Sequence, residues 1–150
     1  MFCSLRAFMI MTIQEKRDRI VEEMSLFEDS YERFAYVIEK GKKAEGLSEE
    51  YKTEAFRIEG CMSSLWLVPG FRDGLCFYRS DSDSPITRGI ANLLCGLYSG
   101  HSPEEVLSVD PVFLSDVGIT QHLSSNRRIG LATITSKILG YAELQKSMST

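Results

Sequence analysis

The first apolar residues to recur at helical spacing are Ile13, Ile20, Val21 and Met24, with Arg17 between them on the same repeat. They follow Thr12-Ile13-Gln14-Glu15, a capping box in which a hydroxyl and a carboxylate three residues on satisfy each other's backbone N–H groups. This predicts a helix over about 13–25. A second cap at Asp29-Ser30-Tyr31-Glu32 precedes an apolar face of Tyr31, Phe34, Ala35, Val37 and Ile38 that stops at Gly41, so the two helices are expected to form a hairpin. After the glycine-bounded stretch 41–46, Ser48-Glu49-Glu50 allows a short helical turn. The period then changes from helical to alternating. Phe56-Arg57-Ile58-Glu59, Leu65-Trp66-Leu67-Val68 and Leu75-Cys76-Phe77-Tyr78-Arg79 read as three short strands, with Pro69-Gly70 and Asp73-Gly74 marking the second connection and Gly60 to Ser64 the first.

Beyond the strands, Ser84-Pro85 supplies an N-cap with proline at the first helical position, and Ile86, Ile90, Leu93, Leu94, Leu97 and Tyr98 continue a buried helix to about Gly100. Ser102-Pro103-Glu104-Glu105 repeats the device, a short turn follows near 112–117, and a last helix starts at Ser124 or Ser125. Helices, sheet, then helices imply an α+β fold: a small antiparallel sheet of about three strands covered on one face by helices. The single domain is expected over 12–146, with a frayed tail at 147–150.

Composition narrows the function. The chain has 150 residues with 17 Lys and Arg against 21 Asp and Glu, a formal charge of −4 and a pI near 5.3. Neither a nucleic acid nor an anionic membrane surface is an expected partner for such a balance. No apolar run is long enough to span a bilayer, and the five residues after Arg6 are too few for a signal peptide, so a cytoplasmic protein is expected. Four cysteines spaced 58, 15 and 19 apart, with no C-x-x-C, argue against a zinc site.

Three of the cysteines have bland places. Cys95 lies in the most apolar helix and Cys76 in a strand, which suits burial as small hydrophobes, and Cys3 precedes the first predicted element. Cys61 stands in Gly60-Cys61-Met62-Ser63-Ser64, a loop between strands where packing offers no reason for a thiol; access of that kind suits reactivity. Of the two histidines, His101 opens a capping turn and is expected to be exposed. His122, in the polar loop before the last helix, is either a structural histidine or a base able to meet Cys61. Arg127 and Arg128 occupy the first turn of that helix, the unfavourable end for cations, which calls for a carboxylate or an acidic partner. Asp81-Ser82-Asp83 reads either as helix-terminus stabilisation or as a recognition edge.

Arg57-Ile58-Glu59-Gly60-Cys61-Met62-Ser63-Ser64-Leu65-Trp66 resembles the R-x-x-G-C-Q-S-x-V-W stretch of SufE-type sulfur acceptor proteins. Ser82-Asp83 and the residues around it resemble their S-D-A-x-I-x-x-G-L segment. The stretch Tyr98-Ser99-Gly100-His101-Ser102-Pro103-Glu104-Glu105-Val106 is similar to Y-S-G-x-T-P-x-E-I, and His122 to Arg127 to H-L-(S/T)-x-x-R. The likeness runs in register from about Phe27 to Ile138.

The resemblance implies a fold similar to the NifU-type iron–sulfur scaffolds and a sulfur carrier with Cys61 as persulfide acceptor. Its partners would be a SufS-like, pyridoxal-phosphate-dependent cysteine desulfurase and an iron–sulfur scaffold protein, with no cofactor bound by this chain and with monomer and homodimer both open. Gly60 would give the loop freedom, Ser63, Ser64 and the loop amides would donate to the persulfide anion, and Arg57 or Arg127 would offer it positive charge. Asp83, His122 and Arg127 are expected at the partner-binding face or pocket. Met62 stands where the motif has Gln, Pro85 where it has a helix former, and Ile129 where Asn is common. An adaptor that stimulates a desulfurase without carrying sulfur is the alternative. Residues 1–11 are expected to be a dispensable extension or a misplaced start.

Overall fold

The computed structural model describes residues 11–59 and 63–149. The expectations for the N-terminal extension, for Cys3, and for Gly60, Cys61 and Met62 therefore fall outside the described residues, apart from Met11.

Helix α1 (Ile13–Met24) starts on the Thr12/Glu15 capping box with both reciprocal bonds made. Helix α2 (Ser30–Lys43) is capped by the Asp29 carboxylate, which accepts from Tyr31 N, and runs two residues beyond Gly41. A 3-10 turn at Glu49–Tyr51 leads to the hairpin of β1 (Leu65–Arg72) and β2 (Leu75–Ser82). Helix α3 (Pro85–Tyr98), capped by Ser84, is followed by α4 (Pro103–Leu107), α5 (Phe113–Asp116), a 3-10 turn at Thr120–His122, and the long α6 (Ser125–Met148).

The architecture is α+β, and among the described residues the sheet has two strands where about three were expected. The 56–58 segment falls short of a strand because it touches β1 through a single bridge, Arg57 to Trp66, framed by Ile58 N to Leu65 O (2.8 Å) and Leu67 N to Phe56 O (2.9 Å). The hairpin turn also differs from expectation. Asp73 and Gly74 alone make it, with φ of 54° and 78°, as a two-residue turn matched to the strand twist requires. Pro69 and Gly70 lie inside β1, opposite Tyr78 and Phe77. Leu67 shows that odd-numbered residues of β1 aim their N–H away from β2, so proline at 69 removes no ladder bond.

Helix α3 is the centre of the core. Its Leu94, Leu97 and Tyr98 are wholly buried, and it packs against α2, the hairpin, α6 and α1. Each such side chain contributes about 1.5–3 kcal/mol of burial. Leu65, Leu67, Cys76 and Tyr78 make the inner face of the hairpin, and the Tyr78 hydroxyl donates to Ile138 O of α6 (2.9 Å). On the outer face, the 49–52 turn is held by Lys52 over the Trp66 ring and Arg79 over the Tyr51 ring. Where α2 crosses α3, Gly89 takes the place of a side chain: a Cβ there would stand 2.6 Å from Val37 O.

His101 is buried, contrary to the exposure expected of it. Gly100, at φ 81°, turns the chain so that His101 bridges Cys76 backbone to backbone, and its Nδ1 lies 3.4 Å from Glu105. Beside it Lys16, 1% exposed, donates to the carbonyls of Gly96 and Ser99 at the end of α3, 2.9 Å each. Burial pulls the Lys16 ammonium down to about 8, with Glu105 opposing the shift. No helix among the described residues is long and apolar enough to cross a membrane.

Candidate functional site

The loop that bears Cys61 hangs from fixed posts. Ile58 and Leu65, on either side of Cys61 in the sequence, are joined at the hairpin end by the Ile58 N to Leu65 O bond (2.8 Å). The exit post is Ser64. Its N–H donates to the Asp83 carboxylate (3.1 Å), while its carbonyl accepts from the Ser82 hydroxyl (2.7 Å) and Asp83 N (3.2 Å). The Ser64 amide is thereby committed to Asp83 instead of to an anion in the loop. Ser63 is half-buried, and Arg57, on the entry arm, lies 3.5 Å from Glu54.

Arg127 reaches the same corner from the first turn of α6, donating to the hydroxyls of Ser84 and, at 3.3 Å, Thr87. Ser84 also caps α3 through Thr87 N. Arg128 donates to Gln121 O (3.3 Å). Among the described residues neither arginine is paired with a carboxylate, so the helix start keeps two cationic groups that neutral partners hold in place. Leu65, Ile86, Ile90, Leu123, Arg127 and Leu131 line a shallow apolar dent next to the loop's exit.

His122 is engaged elsewhere. Its Nε2 lies 2.9 Å from Ser30 Oγ, which also accepts from Gln121, and its ring stands against Tyr31 and Phe34 of α2. The two described thiols are buried: burial raises the Cys76 thiol and pushes Cys95 up to about 12, which leaves both in the protonated, inert form.

The sequence offered Asp81 as a helix-terminus charge or part of a recognition edge and did not show it as the centre of a buried cluster. It lies at the end of β2, where its Oδ2 accepts from Leu47 N (3.0 Å) and faces Lys52 (3.3 Å), and its Oδ1 accepts from Ser82 N (2.8 Å) and faces Arg88 (3.3 Å). Burial favours the neutral acid, but the two backbone amides, Lys52 and Arg88 outweigh it and hold the carboxyl below its ordinary range. Lys52 and Arg88 are 29 positions before and seven after it, which a local reading of charge cannot connect.

A cleft of about 810 Å³ opens between α1, α2, α3 and the outer edge of β2, lined by Lys16, Ile20, Lys40, Phe77 and Asn92 among others, and none of Ser64, Asp81, Asp83, His122 and Arg127 borders it. Among the described residues no cluster of His, Cys, Asp or Glu could hold a metal ion.

The family model described as "SufE: Fe-S metabolism associated domain" matches residues 18–142. The chain belongs to the SufE family. An uncharacterized SufE-like protein of Rhizobium meliloti (strain 1021) is 30% identical over 131 residues, 84% of this chain and 94% of that one. A second, from Rhizobium etli, is 31% identical over 133 residues, 85% and 90% of the two chains. The solution structure of a hypothetical protein from Thermus thermophilus superposes with a TM-score of 0.71, at 19% identity, over 88% of this chain and 96% of that one, and shows the same fold. SufE membership places this chain in iron–sulfur metabolism.

Proposed function

We propose that this SufE-family protein takes sulfane sulfur from a cysteine desulfurase onto Cys61 and passes it to an iron–sulfur assembly scaffold. The observation that carries the reading is the tethered loop: Cys61 lies midway in six residues whose arms join at Ile58 and Leu65, while Cys76 and Cys95 are buried and protonated. In the transfer, the Cys61 thiolate attacks the terminal sulfur of the partner's persulfide. A new S–S bond forms to Cys61, the partner's S–S bond breaks, and the partner cysteine leaves as a thiolate, with no net change of redox state. Asp83 and Arg127 flank the loop's exit, on the side where the desulfurase would dock. The pyridoxal-phosphate chemistry that generates the persulfide belongs to the partner.

The adaptor reading rests on Met62, which stands where the family motif has Gln. One experiment separates the two. Intact mass after incubation with a desulfurase and cysteine, followed by alkylation and peptide mapping, is expected to show added sulfur on Cys61 and none in Cys61→Ser. Faster desulfurase turnover that survives in Cys61→Ser would replace the carrier with the adaptor.

A further inference from the structure

Three polar groups in succession leave the end of β2 in different directions. Asp81 turns inward to the 44–52 segment, Ser82 turns to the carbonyl of Ser64, and Asp83 takes the Ser64 amide. The inward branch is built heavily for a single carboxylate. Asp81 is 7% exposed in its side chain and is met by two amides and two cations, and Arg88 also ties Ala44 O at 2.6 Å. Gly46 is required beside it, because a Cβ there would collide with Asp81 Oδ2. A buried cluster of this kind adds little stability over apolar packing, so its value lies in fixing one arrangement. The arrangement fixed is that of the strand end: Asp81 Oδ1 holds Ser82 N at 2.8 Å, and the Ser82 hydroxyl, 2.7 Å from Ser64 O, also accepts from Ser84 N at 3.2 Å.

We propose that Asp81 and Ser82 are positioning residues for sulfur acceptance: Asp81 locks the end of β2, and the Ser82 hydroxyl pins the Ser64 peptide from which the Cys61 loop departs. The inference rests on the carrier reading for its chemistry but concerns where the loop is held. Cys61 is three residues from the pinned carbonyl. A shift of the pin moves the thiol against the partner's persulfide, and misplacement by about 1 Å costs up to about 100-fold in a transfer that depends on alignment. Neither residue need touch the reacting sulfur.

The test uses full-length protein carrying Ser82→Ala, Ser82→Thr or Asp81→Asn, each first checked for a cooperative melt. Two readouts follow: the rate of Cys61 alkylation by iodoacetamide, mapped by peptide mass, and KM and kcat of a desulfurase with the variant as acceptor. Ser82→Ala and Asp81→Asn are expected to alkylate about threefold to tenfold faster, because the anchor at Ser64 is weakened, and to lower kcat about tenfold with KM little changed, because the acceptor is less well aligned. Ser82→Thr keeps the hydroxyl and is expected to behave as wild type. Should Asp81→Asn fail to fold, the Ser82 pair decides alone. Wild-type alkylation in a folded Ser82→Ala, or a Ser82→Thr as altered as the alanine, would overturn the proposal. Alkylation that shifts as expected in a protein that never gains sulfur would leave the positioning intact and remove the carrier reading instead.

Discussion

Val37 O lies where a Cβ on Gly89 would come within 2.6 Å of it, so α2 and α3 cross backbone to backbone. Gly41 faces Gly89 across the same crossing. Gly89→Ala must therefore push the helices apart or bend one of them. A loss of about 1–3 kcal/mol is expected from such overpacking, measured by urea denaturation, and wild-type stability would mean that the crossing can open without cost.

Lys16 makes stability depend on alkaline pH. Its folded-state value of about 8 lies below the 10.5 of an ordinary lysine. Below pH 8 the ammonium is charged in both states and the contribution is flat. Between about 8 and 10.5 the unfolded chain holds the proton that the folded one has released, so stability rises with pH in that window. In Lys16→Met the rise should vanish. Burial raises the Cys76 and Cys95 thiols and the Tyr78 and Tyr98 hydroxyls, which act in the opposite sense from about pH 9 and pH 10 upward, but they do so in both proteins and cancel in the comparison. Parallel stability curves for the two proteins from pH 8 to 10 would show that Lys16 keeps an ordinary affinity for its proton.

Ser84 serves two elements at once, as N-cap of α3 and as acceptor from Arg127. Ser84→Ala is expected to cost about 1 kcal/mol or somewhat more. Ser84→Thr, which retains the oxygen, should recover most of it in the same urea titration.

Charge at the loop's exit should govern docking. Asp83→Lys and Arg127→Glu are each expected to weaken binding to a desulfurase by about tenfold, mainly through slower association. Binding kinetics on immobilised partner would read this directly, and unchanged affinity for both variants would place the interface elsewhere.

Much of this architecture was legible because local chemistry decided it. Thr12 with Glu15, Ser84 with Pro85, and Ser102 with Pro103 and Glu105 mark helix starts through bonds made within three residues, and all three stand as read. Where the sequence misled, the deciding contact was distant. Phe56 to Glu59 has a strand's alternation but finds only Trp66 to bridge, and Pro69-Gly70 carries a turn's composition inside a strand whose edge needs no N–H there. His101 is buried because a turn at Gly100 delivers it to Cys76. For the site, Cys61 could be singled out as a thiol with no packing role, whereas the anchoring of its loop could not. That depends on Asp81 collecting Leu47 and Lys52 from the 44–52 segment and Arg88 from α3.

Pro69 also decides what the hairpin does in company. A two-stranded ribbon offers β1's far side as a template, and an extended segment of any neighbouring molecule can zip along it by exchanging backbone bonds. Past the short bridge to residues 56–58, the first donor such a visitor would seek is the one proline lacks. Lateral growth of the ribbon is interrupted there, so the hairpin can present a loop to a partner while its flank stays poor at recruiting strands.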